Sequence, residues 1–151
     1  MQALTVRPAR TSGLLWAVPI RSGDQFSLRW THTVTRRPVA ETYTVEPDGR
    51  IRLERMEFDQ FGPNLPSEPE QGTVWQVGPT GITVTGYTEQ YEQIRLGVGP
   101  YDHRLTVGRR ELDLVAGVGP DRLIRLDVER QPWIVTKLME VYQWRSSFSR
   151  F

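Results

Sequence analysis

Cysteine is absent from this chain, which excludes disulfides, thiol catalysis and thiolate metal sites. Histidine occurs only twice, at His32 and His103, so any imidazole chemistry is confined to those two rings. Neither sign of charge dominates. Nineteen Lys and Arg stand against eighteen Asp and Glu, so no global field draws in nucleic acid or an anionic membrane surface. The pairs Arg36-Arg37 and Arg109-Arg110 do not extend into basic runs. Long apolar runs are also missing. The longest, Gly13 to Ile20, falls well short of the ~20 residues a spanning helix needs. Arg7 and Arg10 ahead of it give it the outline of a signal peptide. No small-x-small cleavage site follows, however, and Pro19-Ile20-Arg21 runs straight into the next strand. The expectation is a structural strand, with no export signal and no transmembrane segment in this chain. No serine sits in a G-x-S-x-G elbow, no Walker loop occurs, and Gly97-Val98-Gly99 is an isolated turn-like pair. These absences weigh against serine hydrolysis and nucleotide chemistry.

What is present is aromatic and alternating. Five Trp, five Tyr and five Phe within 38% hydrophobic content indicate a folded protein with a real core. Turn signals recur at short intervals: Ser22-Gly23-Asp24, Glu46-Pro47-Asp48-Gly49, Gly78-Pro79-Thr80-Gly81, Gly97 to Pro100, Gly108 and Gly117 to Pro120. Between them lie short β-rich runs with period-two alternation. The expected fold is all-β: a single compact barrel or sandwich of about eight to ten short antiparallel strands, with a C-terminal helix. Residues 1–132 form the β domain and 133–151 a helix or tail belonging to it. Ile51 and Leu53 are apolar in one register and Met56 and Phe58 in the other, which predicts a β-bulge near Glu54-Arg55.

The helix candidate runs from Trp133 to Arg145, with Ile134, Leu138 and Val141 on one face and Val135, Met139 and Tyr142 beside them. Its β-branched content keeps a strand open as the alternative. From Trp133 onward, Lys137, Arg145 and Arg150 against Glu140 give +2, interleaved with Trp144, Phe148 and Phe151. This is either a helix packed over the sheet or a docking segment for a protein partner.

The most capable side chains fall in the run from Phe26 to Glu41. Phe26, Leu28, Trp30, His32 and Val34 alternate with polar residues, and alternation resumes at Val39, Glu41, Tyr43 and Val45. Taking Arg36 and Arg37 as the two loop residues of a hairpin places His32 opposite Glu41 on the inner face. An ionised Glu41 there needs a partner, His32 or Arg36. The pair either fixes register or works as an acid–base couple, and adding His103 would give three ligands for a metal. The Pro-rich stretch Phe61 to Gly72 is a long connection, with Phe61 and Leu65 as anchors to the core.

These residues resemble the domain of unknown function (DUF) 1850 family of small bacterial proteins. Its pattern is aromatic-x-His-Ser-Val, then Pro-Val-x-Glu, then a Tyr-Gly-Ala-Gly-Leu-Pro-like loop. His32, Val34, Pro38, Val39, Glu41, Gly62, Leu65 and Pro66 stand at matching positions, and the likeness extends from about Leu14 to Val128. Thr33 replaces the usual Ser, and Pro63-Asn64 replaces Ala-Gly, keeping at Asn64 a residue that tolerates left-handed backbone. The resemblance implies a non-enzymatic accessory or binding module associated with a TAXI-type TRAP solute transporter. Partners would be the transporter subunits or solute-binding protein, and the location the periplasm or cell envelope, with the cytoplasm as the alternative for a chain without an export signal. It implies no cofactor or metal and no catalytic residue. It further implies a polar site formed by His32, Thr33, Glu41 and Asn64, braced by Phe61, Gly62, Leu65 and Pro66.

Overall fold

The structure is a computed structural model and describes residues 1–139. Two antiparallel sheets pack face to face as a sandwich rather than a closed barrel. The smaller has the order β2-β1-β12-β9, from Gln2–Pro8 (β1), Trp16–Pro19 (β2), Gln93–Gly97 (β9) and Leu123–Arg130 (β12). The larger has the order β11-β10-β3-β4-β5-β7-β6. Its strands are Gln25–Thr31 (β3), Pro38–Val45 (β4), Ile51–Phe58 (β5), Val74–Gly78 (β6), Gly81–Thr85 (β7), His103–Val107 (β10) and Arg110–Asp113 (β11). A two-residue strand, Gln90–Tyr91 (β8), adds to β5. One helical turn, Leu114–Gly117 (α1), is capped by Asp113, whose Oδ1 accepts from Ala116 N–H at 3.0 Å.

The twelve strands of the described residues exceed the eight to ten expected because β1 and β8 carry no turn signals that mark them in the sequence. β1 is the larger omission. Ala3 through Val6 are all fully buried, so the strand lacks the polar alternation by which a half-buried strand is recognised. Thr5 is tolerated inside because its hydroxyl donates to Glu129 at 2.6 Å, and the same carboxylate pairs with Arg7 at 2.8 Å.

Two apolar cores result. The main one lies between the sheets, with Leu4, Val6, Trp16, Ile124 and Leu126 facing Phe26, Leu28, Ile51 and Leu105. Each fully buried side chain of this size contributes ~1.5–3 kcal/mol. The second comprises Val39, Phe58, Ile82 and Val84 on the larger sheet, closed by Leu65 from the connection after β5. The bulge in β5 occurs where expected. Thr42 pairs with Arg55 and Tyr43 with Leu53, leaving Glu54 as the inserted residue.

Residues 133–139 are helical, which settles the strand alternative for that stretch. Its inward residue is Thr136, which is buried beside Met1, whereas Ile134 and Leu138 of the expected apolar face are exposed together with Trp133. Val141 and the remainder of the predicted segment lie outside the described residues. Among the described residues no helix is long and apolar enough to cross a membrane.

The end of β7 and the loop before β6 come into backbone contact at Gly86. Its φ is +83°, and a Cβ there would lie 2.5 Å from the Gly72 carbonyl oxygen. Gly86→Ala is therefore expected to cost at least ~2 kcal/mol in urea unfolding, since both the left-handed backbone and the clash count against it. Gly78→Ala, whose Cβ meets nothing within 4 Å, should stay within ~0.5 kcal/mol of the parent.

Candidate functional site

The β3–β4 hairpin closes differently from the two-residue turn expected. Leu28 pairs with Glu41, Trp30 with Val39 and Thr31 with Pro38, and His32 N–H donates to the Arg37 carbonyl at 2.9 Å. Residues 33–36 form the loop, with Arg36 left-handed at φ 61°. His32 thus stands opposite Arg37, and Glu41 opposite Leu28. The pairing of His32 with Glu41 is corrected, although both remain on the inner face with Trp30 between them. The cause is the His32 ring, whose Nδ1 accepts from the N–H groups of Val34 and Thr35 at 3.1 and 3.3 Å. It holds in a turn three β-branched residues that read as strand.

The other ring nitrogen reaches the long connection. His32 Nε2–H donates to the Pro63 carbonyl at 2.7 Å. Pro63 and left-handed Asn64 (φ 65°) are the central residues of a turn closed by Leu65 N–H on the Gly62 carbonyl at 3.2 Å. Gly62 lies so close that a Cβ would come within 3.1 Å of the imidazole and 3.0 Å of Thr35 Cγ2. Leu65 is buried in the second core, and Phe61, half exposed, stacks on Trp75 and meets Phe58 edge-on. Pro66 is half-buried behind Leu65. Arg37 also pairs with Asp59 at the base of this connection.

Glu41 belongs to a different place. A cavity of about 400 Å³ opens between the inner face of β3, β4 and β10 and the β9 edge of the smaller sheet. Glu41, Trp30, Tyr43, Thr33, Tyr101 and His103 contribute polar and aromatic lining, Arg95 and Asp102 further charge, and Leu28, Ile94 and Leu96 the apolar wall. Such a cavity, mostly apolar with a few converging polar groups, has the character of a small-molecule site. Tyr43 donates its hydroxyl to Glu41 Oε2 at 2.7 Å. Burial pushes the Glu41 carboxyl above the usual carboxylate range, and Tyr43 and the Trp30 indole N–H offset this in part. Burial, followed by the charge of Glu41, pushes the Tyr43 phenol far up, so it remains a donor. On β10, His103 Nδ1 accepts from Gly99 N–H at 3.2 Å, which places the ring proton on Nε2. Burial lowers its pKa against the opposing charge of Asp102.

The four expected site residues therefore divide into two groups. His32 is joined to the Asn64 turn, whereas Thr33 and Glu41 line the cavity. Arg36, the other proposed partner of Glu41, instead lies over the Tyr101 ring at 4.0 Å. Nor do His32, Glu41 and His103 gather: among the described residues no three His, Asp or Glu side chains are grouped to hold a metal ion. Trp30, Tyr43 and Tyr101 were not singled out from the sequence. For Trp30 and Tyr43 the signal was present, since both share the period-two register of Glu41.

The family model described as "Domain of unknown function (DUF1850)" matches residues 26–114, more than half of the chain, and the protein belongs to that family. No curated protein and no solved structure matches it.

Two outcomes follow from this geometry. His32→Ala removes the ring from both the hairpin loop and the Pro63 turn. It should cost ~1–3 kcal/mol and make the 59–73 connection the first site of limited proteolysis. For Glu41, a carboxyl with a folded pKa above its unfolded one binds its proton more tightly when folded. Its stabilising contribution is complete below the ordinary value of 4.5 and is lost as pH rises through the folded pKa. Glu41→Gln removes that loss while keeping an oxygen for Tyr43. Thermal melts should show the variant more stable than the parent at pH 8, with the difference closing by pH 4.

Proposed function

We propose that this DUF1850 member is a non-catalytic binding module whose ligand site is the intersheet cavity beside Glu41. The observation that carries this reading is a concave, largely apolar space in which the Glu41 carboxylate is held at the wall by two aromatic donors. The His32 ring supports it from the other side. Both nitrogens are committed to backbone groups, so the acid–base couple that would have carried catalysis is not assembled. His103, whose Nε2 carries the ring proton, is a further polar residue of the lining and would offer a donor to an acceptor on the ligand. In the setting the family resemblance implies, the module serves as an accessory to a TAXI-type TRAP transporter. Co-purification with the solute-binding protein or membrane subunits of such a transporter tests that setting.

The site itself is tested by obstruction. A Cβ at Gly99 meets nothing within 4 Å and its backbone is not left-handed, so Gly99→Phe should fold with an unchanged melting temperature and block the cavity. A thermal-shift screen of small organic molecules should yield stabilising compounds for the parent that have no effect on Gly99→Phe. Equal shifts in both proteins would refute the assignment.

A further inference from the structure

We propose that the cavity takes a small organic ammonium ion, its cationic head against Glu41 and Trp30 and its carbon body against Leu28, Ile94 and Leu96. This rests on the cavity being the ligand site.

The argument begins with an imbalance of charge. Other acidic residues on the larger sheet and its turns have arginine partners: Glu46 and Glu54 with Arg52, Glu57 with Arg55, Asp59 with Arg37, Asp102 and Glu111 with Arg104. Glu41 is half-buried at the cavity wall, yet among the described residues it has no ion pair. A carboxylate offers about four acceptor positions, and Tyr43 and Trp30 supply two donors, neither of them charged. Leaving a partly desolvated carboxylate without a counter-charge is costly, so a ligand that brings one gains the most.

The surroundings select the kind of cation. Trp30 and Tyr43 line the cavity, and Tyr87 and Tyr91 lie near enough for the charge of Glu41 to be felt at their phenols. Aromatic faces around a carboxylate favour a weakly hydrated organic ammonium over a metal ion, which would need several more oxygen ligands. Neither Arg95, which lines the cavity, nor Arg36 nearby pairs with Glu41. Arg36 is over Tyr101, and the Arg95 guanidinium faces the Gln93 side-chain amide. An anionic ligand would be repelled by Glu41, and a neutral one would leave it unpaired.

The test uses the whole chain at pH 8 with three probes of one shape: 2-phenylethylammonium, 2-phenylethanol and 3-phenylpropanoate, titrated by calorimetry. The ammonium should bind at least tenfold more tightly than the alcohol, and the carboxylate should not bind. Glu41→Gln should weaken the ammonium at least tenfold and leave the alcohol unchanged. The ammonium-to-alcohol ratio in the parent protein needs no variant, so the proposal stays testable if Glu41→Gln misfolds. Equal binding of ammonium and alcohol, both abolished by Gly99→Phe, would overturn the ammonium assignment and leave the cavity as the ligand site. Binding of any probe that Gly99→Phe does not weaken, or no binding at all, would overturn both.

Discussion

The His32 imidazole accepts two backbone N–H groups on one side and donates to a carbonyl on the other, and much of the molecule's arrangement follows from those three hydrogen bonds. On the Nδ1 side they force a four-residue loop and so fix the register of the central hairpin of the larger sheet. Because a one-residue slip would turn every side chain to the opposite face, that register decides what the sheet presents inward. It sets Glu41 across from Leu28, Trp30 across from both Val39 and His103, and Phe26 across from Tyr43, whose rings stack at 5.3 Å. On the Nε2 side the same ring draws in the turn that carries Leu65 to the second core. A side chain that resembles a catalytic group is here a fastener for two segments about thirty residues apart.

The two cores are physically distinct. The first is the ordinary interior of a sandwich, each sheet covering the other. The second exists because the larger sheet extends beyond the smaller one, and β5, β6 and β7 need another cover. The Pro-rich connection supplies it with Leu65 and an aromatic contact among Phe58, Phe61 and Trp75. The cavity opens where β9 and the loop into β10 lie across the inner face of β3 and β4.

Much of this was legible in the sequence. Alternation located most strands, the switch of register between Leu53 and Met56 located the bulge, and the Phe61–Pro66 segment could be tied to His32 through the family resemblance. The hairpin register was not legible. Thr33, Val34 and Thr35 have strand chemistry, and only the third dimension shows a ring nitrogen collecting the backbone of two of them. β1 was not legible because full burial on both faces removes the alternation. The cavity was visible only in part: Glu41 stood out as a charge in an apolar register, but Trp30 and Tyr43 looked like ordinary core beside it.

The bulge at Glu54 has one more effect. If β5 continued in the register it keeps from Ile51 to Leu53, Arg55 rather than Met56 would stand opposite Glu41, on the same face and one strand away. The inserted residue turns that guanidinium to the outer face, where it pairs with Glu57. That Glu41 has hydrogen-bond donors but no ion pair among the described residues is thus set by the backbone as much as by residue type. A single extra residue in a neighbouring strand keeps the arginine that would otherwise face Glu41 on the opposite side of the sheet.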